Sequence, residues 1–218
     1  MDLSSGYGEF ILFGLGVTVS VTLLGSLVAL AAAFAAGLGR LSRFTAVRFL
    51  AGLYIEVFRS TSFIVQLFFI YFALPLFGVT LPAFPVAVVV LGLNVGSFGA
   101  EVVRGALLSV PRPLIEAATA LNYTPWQRFR HVSLPNALPR MIAPFSNLCV
   151  DLLKTSSVVS LISLSEVTFR AQIVRAQTGD TLGPFLTILV LYYVCATIIE
   201  WIFRMFERSA NPAGKIAR

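Results

Sequence analysis

Two long stretches without a charged residue decide what this chain can fold into. Residues 10–39 contain no Asp, Glu, Lys or Arg, and neither do residues 60–100. Because a helix of about 20 apolar residues crosses the ~30 Å hydrocarbon core of a bilayer, the first stretch fits one long span and the second exceeds one. Composition agrees, since 57% of the residues are hydrophobic and only 12% are charged, about half the charged share of soluble domains. The sequence therefore predicts an all-α, polytopic membrane protein.

Turn-forming residues divide the second stretch and bring the predicted span count to five. Pro75, Gly78 and Pro82 mark a turn between spans two and three. Further apolar segments at 141–165 and 181–199 provide spans four and five. We treat residues 1–218 as a single transmembrane domain whose odd number of spans puts the two termini on opposite sides of the membrane.

The basic residues predict which side is which. Twelve of the sixteen Lys and Arg residues follow span one, surround the polar segment after span three, or follow span five. By the positive-inside rule the N-terminus is outside and the C-terminus inside. The net charge of +6 thus reflects membrane orientation, and we expect no nucleic-acid partner. No Lys or Arg precedes Arg40 and the first apolar run is far too long for a signal peptide, so we expect no cleavage.

Small residues recur along one face of span one and again in span three. The face of span one consists of Gly14, Thr18, Thr22, Gly25, Ser26, Ala29, Ala33 and Gly37. In lipid such a face lets helix backbones approach closely, and packing within the chain is favoured here over a contact between subunits. Span three has Gly92, Gly96 and Gly99 beside Asn94, which predicts tight packing or the lining of a pathway.

Three acid–base couples have the i, i+3 spacing that places two side chains on one helix face. They are Glu56 with Arg59, Glu101 with Arg104, and Asp151 with Lys154. The first two lie near the cytoplasmic ends of spans two and three, where interfacial anchoring suffices; alternatively Glu56, Arg59 and Arg104 join Glu101 in a latch at the cytoplasmic mouth.

The third couple is predicted to lie deep in the membrane. At 1.5 Å per residue from the start of span four, Asp151 is roughly 15 to 18 Å into the bilayer. Charged groups there are costly and usually functional, so the couple serves either a substrate pathway or a structural pairing between helices. The residues predicted to line a hydrated pathway are Gln66, Asn94, Glu101, Asp151, Lys154, Ser156 and Ser157.

The polar segment at 111–139 is predicted to form a cytoplasmic hairpin. Pro113 and Glu116 favour a short helix over residues 114–121, and Asn122 is placed for a left-handed helix cap. A second short helix is predicted from Thr124 or Pro125 to His131. The hairpin is tethered between spans and too short to present a DNA recognition helix. The two cysteines, Cys149 and Cys195, lie in spans without metal-ligand spacing, so we expect apolar fillers, no disulfide, no metal and no cofactor.

These residues carry a resemblance that extends over nearly the whole chain. The run Glu116-Ala117-Ala118, three residues, Asn122 and then Leu134-Pro135 resembles the EAA loop of the permease subunits of bacterial ABC importers. Three further segments resemble polar amino-acid permeases of that family: Phe58-Arg59-Ser60-Thr61 with Val65-Gln66-Leu67, residues 101–111, and residues 152–157.

Departures from the family pattern affect the cap and the pathway. Asn122 replaces the family's glycine, and an asparagine can fill the same helix cap. Thr155 replaces the acid that follows the lysine in the family, which puts substrate preference in doubt. Ser60 and Ser62 replace the usual Gly and Pro. Ala120-Leu121-Asn122 and Gly92-Leu93-Asn94 are most similar to permeases for ectoine and hydroxyectoine, which are cyclic, amino-acid-like zwitterions.

The resemblance implies a type I importer in the bacterial inner membrane. Its partners would be a pair of cytoplasmic ATP-binding subunits, an external substrate-binding protein, a second permease that is identical or homologous, and the surrounding membrane lipid. This chain has no G-x-x-x-x-G-K-[ST] loop, so it is expected to be a transport subunit and not an enzyme. The residues implied in ATPase coupling are Glu116, Ala117, Ala118, Asn122, Arg128 and His131. The alternative is a self-sufficient, ion-coupled secondary transporter.

Overall fold

The computed structural model describes residues 3–210, with side chains from residue 7 to residue 209. Helices and short connections make up this part of the chain, which contains no strand. The α-helices are α1 (Leu3–Arg40), α2 (Thr45–Ser60), α3 (Phe63–Phe68), α4 (Ala83–Leu108), α5 (Arg112–Ala120), α6 (Pro125–Arg128), α7 (Leu134–Thr155), α8 (Val167–Thr178) and α9 (Leu182–Ala210). The predicted all-α fold is confirmed.

Four helical segments are long and apolar enough to cross a membrane, and a bent helix pair is a fifth candidate. The four are Tyr7–Arg40, Ala83–Leu108, Pro125–Ile162 and Leu182–Ser209. Span four begins earlier than predicted because α6 continues through a π-helical turn, Phe129–Ser133, into α7. Pro139 and Pro144 lie inside α7 without ending it.

Close packing of α1 against α4 forms the centre of the fold. A Cβ added to Gly92 would lie 2.5 Å from the Cβ of Val28, and one added to Gly96 would lie 2.8 Å from the Cβ of Ala32. Real Cβ atoms do not approach so closely, so these glycines set the spacing of the two helices. The small-residue faces of spans one and three therefore pack within the chain, as predicted for span one.

The second span is the least regular. The axes of α2 and of the segment Phe63–Phe77 meet at 105°, with the break at residues 61–62. After α3 the chain passes through a π-helical turn (Phe69–Ala73) and a 3₁₀ turn (Leu74–Phe77), and Gly78 reverses it at φ 84°. The predicted turn between spans two and three is confirmed, whereas the sharp bend within span two was not predicted.

The connection between spans four and five is helical and not an open loop. A 3₁₀ segment, Ser156–Ile162, continues α7, and α8 then packs against both α1 and α9. Cys149 and Cys195 are free and half-buried.

Candidate translocation and coupling sites

The turn between α5 and α6 is held by backbone hydrogen bonds. Asn122 has φ 57°, so the predicted left-handed cap is confirmed. Its N–H donates to the Thr119 carbonyl, and the Tyr123 N–H reaches back to the Ala118 carbonyl at 3.1 Å, which is the pattern of a Schellman cap. Thr124 then starts α6 with a capping box in which its side chain and that of Gln127 each accept a backbone N–H.

The tip of this segment is largely exposed and therefore open to partners. Glu116 and Ala117 are exposed, but Ala118 is only 4% exposed, so it supports the fold of the hairpin and cannot contact a partner directly. Arg128 donates to the Thr119 hydroxyl at 2.9 Å and thereby braces α6 against α5. His131 is exposed, with its ring edge-on to Tyr123.

The prediction that the second short helix of this hairpin ends at His131 is wrong. α6 and the turn containing His131 are the first part of the helical segment that becomes span four. Pro135 lies directly after the π-helical turn Phe129–Ser133, whose backbone is still helical at Ser133, so the irregular turn adjoins the proline and the helix continues past it. A force on α5 and α6 therefore acts directly on span four.

The predicted pathway residues Gln66 and Asn94 meet at the bend between α2 and α3. The Phe58 carbonyl, left free near the end of α2, accepts from Gln66 Nε2 at 3.0 Å and from Asn94 Nδ2 at 3.1 Å. Asn94 also donates to Gln66 Oε1 at 3.1 Å. The two amides thus supply the donors that a broken helix lacks, and they join the bend to α4.

The third acid–base couple does not form an ion pair. Where side chains are described, the ion pairs join Glu101 to Arg104 and Glu200 to Arg204. Asp151 and Lys154 are both exposed on α7, whose neighbouring residues Leu152 and Leu153 are buried. We call Asp151 and Lys154 the charged face of α7. The next two predicted residues turn inward: Ser156 is fully buried and Ser157 half-buried, and each hydroxyl bonds to a carbonyl of its own helix.

Of the four residues of the predicted latch, two form an ion pair. Arg104 and Glu101 pair at 2.7 Å on α4. Arg59 does not pair with Glu56; its guanidinium lies over the ring of Phe98, 5.3 Å from the centroid, and so connects the end of α2 to α4. Phe98 and Glu101 are three residues apart on one face of α4, which brings Arg59 towards the Glu101–Arg104 pair.

The structure also contains a buried acid that the sequence reading missed. Glu166, 0% exposed, precedes α8 and caps it: Phe169 N–H donates to Oε1 and Thr168 N–H to Oε2, both at 2.8 Å. The Tyr192 hydroxyl of α9 lies 3.1 Å from Oε2 and the Thr18 hydroxyl of α1 lies 3.4 Å from it. We call these five residues the Glu166 hub.

The surroundings of the Glu166 carboxyl raise its pKa. Glu166 lies between the membrane-spanning segments, and burial raises its pKa above the usual range, while the backbone N–H groups of Thr168 and Phe169 oppose that rise. A sequence signal for this residue exists, because an acid directly before a helical stretch is a typical helix start.

Comparisons with known proteins agree with this architecture. A family model described as the inner membrane component of binding-protein-dependent transport systems matches residues 11–211. A probable amino-acid ABC transporter permease protein (y4tF) of Sinorhizobium fredii (strain NBRC 101917 / NGR234) is 41% identical over 204 residues, which are 91% of this chain and 86% of that protein. The glutamine transport system permease protein GlnP of Escherichia coli (strain K12) is 33% identical over 197 residues, 89% of this chain and 90% of that one.

Solved structures show the same fold. A crystal structure described as an amino acid ABC transporter with histidines superposes with a TM-score of 0.88 at 29% identity, covering 96% of this chain and 99% of that chain. A chain of the MetNI methionine ABC transporter, at 22% identity and a TM-score of 0.80, supports the fold alone. The chain belongs to the family of inner membrane components of binding-protein-dependent transport systems: it is a multi-pass permease subunit of an ABC importer, and not an enzyme, because ATP is hydrolysed by a separate subunit.

Proposed function

We propose that this chain imports polar amino acids or amino-acid-like compatible solutes that an external binding protein delivers, with ectoine and hydroxyectoine as the narrowest candidates. The names of the relatives support the broader class, since they describe permeases for amino acids, L-cystine and glutamine. The ectoine assignment rests on the short segments around Asn94 and Asn122.

The observation that carries the proposal is the charged face of α7. Asp151 and Lys154 are exposed on the surface of a single chain, in a segment apolar enough to span the membrane. Charged groups do not face lipid, because their desolvation costs several kcal/mol unless water or a partner covers them. This face therefore lines a hydrated passage that a second permease subunit closes from the other side.

The chemistry of this face suits a zwitterion. A carboxylate at Asp151 and an ammonium at Lys154 stand one helical turn apart, so they can meet the opposite charges of an amino-acid-like solute. The neutral amides of Gln66 and Asn94 add hydrogen-bonding capacity without net charge. Glu101, Ser156 and Ser157 complete the proposed lining of the passage.

The proposed orientation follows from the basic residues. With the N-terminus outside, the segment at 111–139 faces the cytoplasm and its exposed tip, Glu116 and Ala117, docks in a cleft of one of two ATP-binding subunits. Closure of those subunits pushes α5 and α6, and the continuous helix transmits the movement to the charged face of α7. The proposed latch of Glu56, Arg59 and Arg104 around Glu101 closes the cytoplasmic mouth.

Reversing the charge at the tip tests this function. Glu116→Lys is expected to lower ATP-dependent uptake by at least about tenfold, because it places a like-signed or unpaired charge in the docking cleft. The measurement is solute uptake into vesicles containing the permease, its ATPase and the binding protein. Glu207→Lys is the matched control, since it makes the same change at an exposed position near the end of α9. Equal uptake by both variants would contradict coupling through this tip.

A further inference from the structure

The Glu166 hub joins three helices at one carboxyl group. Glu166 starts α8, Thr18 belongs to α1 and Tyr192 to α9, and they lie 148 and 26 positions away in sequence. Thr18 is 1% exposed, and its hydroxyl also accepts the Val167 N–H at 3.3 Å. Gly14 allows this approach, because a Cβ there would lie 2.8 Å from the Val167 backbone nitrogen.

The hydrogen-bond pattern requires a carboxyl at this position. Each of the two carboxyl oxygens receives one backbone N–H, so both must accept. A glutamine amide offers only one accepting oxygen and turns its NH₂ group towards the other N–H, which leaves that donor unsatisfied. Arg170, one turn along α8, is not a partner: it donates to the carbonyls of Phe10 and Ser165.

The hub adjoins the proposed substrate passage. Thr18, Val167 and Tyr192 line one small gap together with Leu153, the buried neighbour of Lys154. The 3₁₀ segment Ser156–Ile162 leads from the charged face of α7 to Glu166, and its residues Val159 and Ile162 are also buried. A shift of α8 away from α1 and α9 would therefore move the end of the passage.

We propose that Glu166 is a positioning residue for transport, which fastens α8 and the 3₁₀ segment before it to α1 and α9 so that these elements move together during the transport cycle. This inference rests on the proposed function, since it assigns Glu166 a part in ATP-driven uptake. When the hydrogen bonds of Glu166 are lost, α8 and the 3₁₀ segment no longer move together with α1 and α9. Movement driven from the cytoplasmic side is then not transmitted to the outer end of the passage. ATP is then hydrolysed without a matching uptake of solute.

The test is the number of solute molecules taken up per ATP hydrolysed, in vesicles containing permease, ATPase and binding protein with L-glutamine and ectoine as probes. This ratio does not change when a variant merely lowers the amount of folded complex. Tyr192→Phe removes one hydroxyl from the hub and is expected to lower the ratio by about fivefold, the effect of one hydrogen bond on an equilibrium. Glu166→Gln is expected to lower it further.

Matched controls separate the possible outcomes. Tyr193→Phe makes the same change at the adjacent position, where the side chain is 71% exposed, and should keep the wild-type ratio. If Tyr192→Phe also keeps the wild-type ratio, the positioning role is overturned, even where Glu166→Gln fails to assemble. If the wild-type vesicles take up neither probe nor any other polar amino acid on addition of ATP, the proposed function itself fails.

Discussion

Asp151 in the charged face of α7 and Glu166 in the Glu166 hub are fifteen positions apart in sequence, but their environments are opposite. Asp151 is exposed and has no ion-pair partner among the described side chains, and Lys154 beside it is equally free. Glu166 is fully buried, and its oxygens receive two backbone N–H groups and lie near two hydroxyls. The first group remains available to a partner, whereas the hydrogen bonds of the second are already used within the chain.

This difference indicates a functional role for Asp151 and a structural, positioning role for Glu166. A buried carboxyl with all its hydrogen bonds made fixes the elements around it, because moving any of them leaves a polar group unsatisfied. An exposed charge in a membrane span has no such constraint and must be covered by water, solute or a second subunit. The stability of the fold should therefore depend on Glu166, whereas transport should depend on both Glu166 and Asp151.

The largest expected effect on stability is at the hub. Glu166→Ala removes the α8 cap and leaves Tyr192 without its acceptor, which is expected to lower the free energy of unfolding by about 3 kcal/mol. Asp151→Ala removes an exposed side chain and is expected to change it by less than about 0.5 kcal/mol. Thermal unfolding of the two purified variants in the same detergent checks both values. Similar losses in both would erase the distinction between the two regions.

A second prediction concerns transport at constant stability. Asp151→Asn keeps the shape of the side chain but removes the charge that faces the passage, and uptake is expected to fall by about tenfold, the equivalent of one charge-assisted hydrogen bond. The melting temperature should stay at the wild-type value. Asp180→Asn serves as the control. Asp180 is an exposed acid that precedes the last span and accepts hydrogen bonds from the backbone N–H groups of Leu182 and Gly183. Wild-type uptake by Asp151→Asn would favour a purely structural role for this residue.

The smallest effect is a dependence of stability on pH. Because burial raises the pKa of Glu166 in the folded protein, the folded state binds this proton more tightly than the unfolded state does. Its contribution to stability is thus present below the ordinary carboxyl pKa and is lost as pH rises through the raised value. Glu166→Gln cannot titrate at this position. As pH rises through this range, the melting temperature of the wild type should therefore fall relative to that of the variant. A difference that stays constant with pH would show that Glu166 keeps an ordinary pKa.

Local rules predicted the features that depend on a few neighbouring residues. The uncharged stretch of α1, the turn at Gly78 and the left-handed Asn122 all follow from composition or from short motifs, and the structure confirms them. The close packing of Gly92 and Gly96 against α1 could also be predicted from the sequence, because a stripe of small residues in a membrane helix favours close helix contact.

The features that escaped prediction depend on distant partners. Spacing alone pairs Asp151 with Lys154 and Glu56 with Arg59, but in the structure Arg59 turns to Phe98 on another helix. The 105° bend after α2 is stabilised by Asn94, which is 36 positions away from the carbonyl that it satisfies. The role of Glu166 does not follow from its neighbours in sequence, because its partners Thr18 and Tyr192 come from the first and last spans.

The most direct test of the account is solute uptake into vesicles that contain the permease, its ATP-binding subunits and the external binding protein. The proposed mechanism predicts that a ¹⁴C-labelled polar amino acid or ectoine accumulates only when ATP is supplied on the ATPase side. A proton or sodium gradient should not replace ATP. Accumulation driven by an ion gradient without ATP or the ATP-binding subunits would contradict the proposed mechanism.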